Sequence, residues 1–111
     1  MTQRDSYAGI LSAKLDLPVS YCRHACTGKW RGSYDVGFTI DGYTVALGNT
    51  FGEHGKRTNE VFRHYENVEK ALIEDLTSEM EHAARFPANE YYAEKARFFN
   101  EILTKIGGVQ K

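Results

Sequence analysis

The sequence predicts a small α+β protein in which helices at both ends of the chain flank an antiparallel β-hairpin. Three observations predict this class. Apolar residues recur at helical spacing before residue 27 and again after residue 67, they alternate with polar residues between 34 and 47, and Asp41-Gly42 interrupts the alternation. With 111 residues and no low-complexity run, the chain is expected to form a single domain over residues 1–111.

Two short helices are predicted at the N-terminus. A first set of apolar residues, spaced by three or four, predicts a helix over about residues 5–15. Its members are Tyr7, Ile10, Leu11 and Leu15. A second set lies between Pro18, which suits the first position of a helix, and Gly28, which suits its end. These residues, Val19, Cys22, Ala25 and Cys26, predict a second short helix.

A β-hairpin is the clearest element of the sequence. Asp41-Gly42 accepts the positive φ angles of a type I′ turn, and apolar residues alternate with smaller or polar ones on both sides of it. A two-residue turn also fixes which residues lie opposite each other. The predicted pairs are Ile40 with Tyr43, Phe38 with Val45, and Val36 with Leu47. All six share one face of the hairpin, and that face needs a cover.

The second half of the chain is expected to supply a third strand and the helices that pack on the apolar face of the hairpin. Residues 48–58 hold three glycines without periodicity and predict a flexible loop, and residues 60–65 predict a strand that completes a three-stranded meander over about residues 33–65. Apolar stripes then predict two C-terminal helices, over about residues 67–85 and 89–106. These two helices are expected to cover the apolar face of the hairpin.

Composition and charge argue against several function classes. The formal net charge is −1 and is nearly balanced in both halves, so no global attraction to nucleic acid or anionic lipid is expected. No apolar run has the length of a membrane helix, and residues 1–5 do not begin a signal peptide. The protein is therefore expected to be cytoplasmic, with no membrane partner.

Cys22, His24 and Cys26 are the candidate metal ligands. On a strand, their alternate spacing would place all three on one face, where one zinc ion could bind them together with His54 or His64. On a helix, His24 points away from the two cysteines, and the three cannot bind one ion. Because the flanking spacing predicts a helix, we expect neither a metal nor another cofactor, and we expect both cysteines to be small buried residues.

Residues 10–28 resemble the helix-turn-helix motif of bacterial repressors. Leu15 and Leu17 would lie on either side of the turn, residues 20–27 would form the recognition helix, and the hairpin would act as a wing. The resemblance implies a DNA-binding transcriptional regulator. The residues that it implies for contact with DNA are Ser20, Tyr21, Arg23, His24, Lys29 and Arg31. The alternative interpretation is a pair of ordinary packed helices.

Enzymatic activity is not expected. The sequence has no nucleophile with an adjacent base, no paired carboxylates, and neither a Gly-x-Ser-x-Gly nor a His-x-x-x-His pattern. The glycine-rich loop with Lys56 and Arg57 is the basis of another interpretation, because converging backbone N–H groups and two cations would bind a small anion such as a nucleotide.

The leading hypothesis is a non-enzymatic binding protein that acts through a protein–protein surface. Aromatic side chains anchor many interfaces, and charged ones add specificity. The candidate contact residues are Trp30, Glu74, Glu79, Tyr91, Tyr92 and Phe98. Small α+β proteins of this size occur among phage and plasmid accessory proteins that inhibit host defence complexes, and this analogy suggests an inhibitor. The aromatic C-terminal helix would alternatively form a homodimer.

Overall fold

The computed structural model describes residues 2–107 and confirms the α+β class. The elements described are α1 (Gln3–Leu15), β1 (Val19–Ala25), a short 3₁₀ helix (Gly28–Trp30), β2 (Tyr34–Ile40), β3 (Tyr43–Asn49), α2 (Gly52–Val61), α3 (Tyr65–Ala83) and α4 (Glu90–Ile106). The three strands form one antiparallel sheet in the order β1-β2-β3. None of the helices within residues 2–107 is long and apolar enough to cross a membrane.

The chain divides into two compact units, and the boundary between them along the sequence lies between Ala71 and Leu72, within α3. The first unit contains α1, the sheet, α2 and the beginning of α3, and the second contains the rest of α3 and α4. The single domain over residues 1–111 and the covering of the hairpin by both C-terminal helices stay predictions.

Residues 19–25 form the first strand of the sheet, so the prediction of a second N-terminal helix is wrong. β1 pairs with β2 over its whole length, from Val19 opposite Ile40 to Ala25 opposite Tyr34. The apolar spacing of this segment suits a helix, but pairing with an apolar strand stabilises the extended form. Tyr21, for example, lies edge to face against Phe38, with 6.0 Å between the ring centroids.

The helix-turn-helix interpretation of residues 10–28 is therefore wrong in its second half. The first half matches, because α1 ends at Leu15 and Asp16 follows with a left-handed φ of 55°. Residues 20–27, which would form the recognition helix, instead form most of β1 and the beginning of the turn that follows it. The structure thus lacks the helix that this motif would insert into a major groove.

The hairpin of β2 and β3 is confirmed, with one change of register. Asp41 and Gly42 have φ values of 48° and 92°, and the predicted pairs nearest the turn are present. The predicted pairing of Val36 with Leu47 is wrong. A β-bulge leaves Leu47 without a partner, so that Val36 lies opposite Gly48.

The third strand precedes the hairpin, so the predicted strand at residues 60–65 is wrong. Residues 52–61, predicted as loop and strand, form α2 instead. The sequence did not predict this helix because it contains Gly52 and Gly55, and glycine is an unfavourable residue inside a helix. The three-stranded meander accordingly occupies residues 19–49 rather than 33–65.

One face of the sheet forms the core of the first unit. Val36, Phe38, Ile40 and Val45 are buried on it, and Phe62 at the end of α2 packs on Phe38 at 6.0 Å between ring centroids. Helix α1 packs along β1 and helix α2 packs along β3. The apolar face predicted for the hairpin is thus contacted by elements of the first unit.

Helix α3 begins against α1. The rings of Tyr7 and Tyr65 lie 5.8 Å apart, and Glu69 accepts hydrogen bonds from Lys14 Nζ at 2.7 Å and from the Tyr65 hydroxyl at 2.6 Å. Burial, followed by the hydrogen bond to Glu69 and its charge, raises the pKa of Tyr65 well above its ordinary value. Burial works to raise the pKa of Glu69, but the bonds from Lys14 and Tyr65 outweigh it and lower that pKa.

The second unit is a helical hairpin, and the two predicted C-terminal helices are confirmed as helices. Asn89 Oδ1 caps α4 by accepting the N–H groups of Tyr91 and Tyr92, and Gly107 ends it with a φ of 88°. The rings of Phe86 and Tyr92 stack at 5.0 Å between centroids. Apolar side chains along one stripe of each helix are buried, as the spacing predicts.

The bulge requires glycine at position 37. A Cβ atom there would collide with the carbonyl oxygen of Val45 in the neighbouring strand. We expect Gly37→Ala to destabilise the protein by about 2 kcal/mol, because the backbone of β3 has to move. Urea unfolding followed by circular dichroism measures this change.

Gly9→Ala is the matched control, since Gly9 lies exposed in α1 with no atom within 4 Å of the added methyl group. This substitution is expected to stabilise the protein by about 0.5–1 kcal/mol. Similar changes in the free energy of unfolding for Gly37→Ala and Gly9→Ala would contradict the close backbone contact at the bulge.

Candidate functional site

A cleft of about 560 Å³ opens at the end of the sheet where β1 stops and β2 starts. It is lined by Ala25, Cys26, Thr27, Trp30, Asp35, Asn49 and His54. All of these residues belong to the first unit. We call this site the aromatic cleft and include Phe51, which contacts Trp30 beside it.

Trp30 and Phe51 form the apolar part of the aromatic cleft. Their ring centroids lie 5.1 Å apart in an edge-to-face arrangement. The centroid of the His54 ring lies 5.7 Å from that of Trp30. Trp30 remains 36% exposed and Phe51 50% exposed. Two large rings in mutual contact thus stay accessible at the surface.

Asn49 forms the polar part of the aromatic cleft. Its Nδ2 donates to Asp35 Oδ1 at 2.8 Å and to Cys26 Sγ at 3.4 Å, and its Oδ1 accepts the N–H of Phe51 at 2.8 Å. One side chain therefore joins the end of β1, the beginning of β2 and the residue that precedes α2. The Asp35 carboxylate has no cation within 4.0 Å among residues 2–107.

Thr58 fixes the position of α2 beside the cleft. Its buried hydroxyl accepts the N–H of Asn49 at 3.0 Å, and its proton has two carbonyl acceptors, His54 at 2.7 Å and Asn49 at 3.0 Å. Gly48 permits this approach, because a Cβ atom on residue 48 would collide with the Thr58 hydroxyl. The contact holds Phe51 and His54 against Trp30.

Lys56 and Arg57 lie on α2 and not on the predicted flexible loop. Lys56 pairs with Glu53 at 3.5 Å. Arg57 lines a smaller cleft of about 250 Å³, which shares Asp35 and His54 with the aromatic cleft. The two cations predicted to bind an anion together are therefore in different surroundings.

The six residues proposed for DNA contact do not form one surface. Ser20 and His24 lie on the face of β1 opposite to Tyr21 and Arg23, since side chains alternate along a strand. Arg23 lies over the ring of Tyr34, 4.2 Å from its centroid. Lys29 and Arg31 are exposed on either side of Trp30.

The two cysteines are free and half-buried, rather than fully buried as predicted. Four residues of extended strand separate Cys22 from Cys26 by about 13 Å, which exceeds the reach of a disulfide. His24 shares a face of β1 with Cys22, whereas Cys26 lines the aromatic cleft. Within residues 2–107, no group of three or more His, Cys, Asp or Glu side chains is placed to hold a metal ion.

The other predicted partner-binding residues lie in the second unit. Tyr91 is 60% exposed and Glu74 is also exposed. Tyr92 is half-buried against Phe86, and Glu79 lies 4.0 Å from Lys95. Phe98 is half-buried and contacts Phe99.

Sequence reasoning missed most of the aromatic cleft. Phe51, Asp35 and Asn49 were not among the candidate binding residues, and Cys26 and His54 were considered only as metal ligands. One local signal was present, because asparagine side chains often bond the backbone two residues later. Asn49 does so with Phe51.

Comparison with known proteins gave no match among family models, curated proteins or solved structures.

Replacement of Thr58 by valine tests how α2 is positioned. We expect Thr58→Val to destabilise the protein by about 2 kcal/mol, because the part-buried N–H of Asn49 loses its acceptor and two carbonyl groups lose a donor. Emission of Trp30, the chain's one tryptophan, should shift to longer wavelength as Phe51 and His54 move away. Urea unfolding and fluorescence measure the two effects.

Thr44→Val is the control, because Thr44 is exposed on β3. It is expected to change stability by less than about 0.5 kcal/mol and to leave the emission unchanged. Unchanged emission in Thr58→Val would show that this hydroxyl does not hold the cleft together.

Proposed function

We propose that the protein is a non-enzymatic binding protein that occupies a surface of a partner protein through the aromatic cleft. The observation that carries the proposal is the pair of exposed rings, Trp30 and Phe51, held in contact beside a concave polar site. Aromatic side chains next to a pocket are the usual energetic centres of protein interfaces.

The positioning of these rings also favours binding. Asn49 accepts the N–H of Phe51, and Thr58 holds the beginning of α2, so the backbone around Phe51 is fixed before a partner arrives. Trp30 packs on Phe51 and His54. A surface that is ordered in advance loses less conformational entropy on association.

Cys26 lines the aromatic cleft, and its Sγ accepts a hydrogen bond from Asn49 Nδ2 at 3.4 Å. The thiol is thus part of the hydrogen-bond network that positions the polar side of the cleft. Cys26 and His54 are proposed as further contact residues for the partner.

The proposed mode of action is steric. A partner bound to this protein could no longer bind other molecules through the same part of its own surface. Inhibition of a host defence complex by a phage or plasmid accessory protein is an example of this mode. Similarity of size and fold class supports this part of the proposal.

Single-stranded nucleic acid is a second candidate for the aromatic cleft. Lys29 and Arg31 flank Trp30, and Arg57 lines the adjoining cleft. A cationic groove with aromatic side chains is the arrangement on which unpaired bases stack. Capture from host lysate with and without nuclease treatment separates this candidate from the protein partner.

Capture from host lysate with a tagged chain tests the proposal. The wild type is expected to retain a stoichiometric protein partner after nuclease treatment, and Trp30→Ala and Phe51→Ala are expected to reduce its recovery about tenfold or more. Mass spectrometry identifies and quantifies the partner. Circular dichroism checks that each variant is folded.

Phe86→Ala is the matched control, because Phe86 is also an exposed aromatic residue but belongs to the second unit. Its recovery of the partner should equal that of the wild type. Recovery that disappears with nuclease would favour the nucleic-acid candidate. Loss of the partner with Tyr91→Ala and not with Trp30→Ala would place the interface in the second unit.

A further inference from the structure

A second cleft of the first unit contains two arginines. It has a volume of about 390 Å³ and lies between the start of α1, the strand β1 and the residue that follows β3. Its lining residues are Thr2, Gln3, Arg4, Tyr21, Arg23 and Thr50. We call it the arginine cleft. Its lining includes no aspartate or glutamate.

Arg4 is half-buried and held in one position. Its Nη1 donates to the Tyr21 hydroxyl at 2.5 Å and its Nη2 donates to Asn59 Oδ1 at 3.1 Å. The guanidinium carbon lies 4.3 Å from the centroid of the Phe62 ring. Both acceptors are neutral, so they position the positive charge of Arg4 without neutralising it.

Arg23 supplies the second positive charge. It is exposed, and its guanidinium group lies over the ring of Tyr34. Neither Arg4 nor Arg23 has a carboxylate within 4.0 Å in the part of the chain that the structure describes. Arg4 and Arg23 thus line one cleft without a carboxylate partner among the described residues, and an anion that enters the cleft would meet two positive charges.

We infer that the arginine cleft binds a carboxylate group of the partner protein, an aspartate or glutamate side chain. This inference rests on the proposed function and adds the chemistry of the partner. Guanidinium groups bind carboxylates through paired, charge-assisted hydrogen bonds. Tyr21 and Thr50 line the same cleft, and each has a hydroxyl proton that it can donate to a carboxylate, whereas the Thr2 hydroxyl already donates to Asp5.

The proposed protein partner decides between a carboxylate and a phosphate. The negatively charged side chains of an unmodified protein are the carboxylates of aspartate and glutamate, which accept hydrogen bonds at both oxygens.

The arginine cleft adjoins the aromatic cleft through Thr50 and Phe51. Thr50 lines the arginine cleft and is fixed to Tyr34 by two hydrogen bonds, of 2.9 and 3.0 Å. The next residue, Phe51, contacts Trp30 of the aromatic cleft. The partner that this surface fits therefore presents an acidic side chain beside an apolar one.

A titration of the purified full chain tests the carboxylate site without the partner. The probe is a blocked tetraglutamate peptide, and a blocked tetraglutamine peptide, inorganic phosphate and an oligothymidylate are compared with it at constant ionic strength. Chemical shifts of the Arg4 and Arg23 Nε–H groups and of the Tyr21 and Thr50 amides give the dissociation constants.

We expect saturable shifts with tetraglutamate at millimolar concentration and none with tetraglutamine. Arg23→Gln is expected to weaken binding about tenfold. Arg63→Gln is the control and should change binding less than about twofold, because Arg63 is exposed, pairs with Glu60 and does not line the cleft. Arg4→Gln should weaken binding as well, but it also removes two internal hydrogen bonds, so the Arg23→Gln variant decides.

Absence of saturable shifts with tetraglutamate would overturn the inference, as would equal effects of Arg23→Gln and Arg63→Gln. Tighter binding of phosphate or oligothymidylate at the same two arginines would also overturn it and identify a phosphate site. Trp30→Ala should retain tetraglutamate binding while it loses the captured partner. The outcomes for the two clefts are therefore distinguishable.

Discussion

The close contact between Gly48 of β3 and Thr58 of α2 is the constraint on which both clefts depend. The missing Cβ of Gly48 lets the Thr58 hydroxyl reach the backbone of Asn49, while the same hydroxyl bonds the carbonyl of His54 one turn earlier in α2. This contact fixes where α2 begins. The Thr50-Phe51 connection between β3 and α2 is short as a result, and it forms the boundary that the aromatic cleft and the arginine cleft share.

The proposed function follows from what that connection holds in place. On one side of it, Phe51 contacts Trp30 and leaves two rings accessible. On the other side, Arg4 and Arg23 line a cleft without a carboxylate. An apolar anchor beside a cationic pocket matches a partner with neighbouring apolar and acidic side chains. Affinity would then come mainly from the rings, and orientation and specificity from the charge pair.

The sequence predicted the elements whose signals are local. Asp41-Gly42 marked the hairpin, and apolar stripes marked α1, α3 and α4. The prediction failed for β1, where pairing with β2 outweighed the helical spacing of the apolar residues. It also failed for α2, where Gly55 is required by a contact outside the helix, since a Cβ on it would lie 2.7 Å from Thr50 O. The clefts could not be predicted, because their residues come from segments that meet only in the folded chain. Of the residues that line the aromatic cleft, Trp30 alone was among the predicted partner-binding residues.

Hydrogen exchange of the chain, alone and bound to the captured partner, tests the central claim most directly. The account predicts slower exchange on binding at the amides of residues 27–35 and 49–54, which surround the aromatic cleft, with little change at residues 86–98 of the second unit. Protection confined to residues 86–98 would contradict it, and it would move the binding surface to the helical hairpin that carries Tyr91.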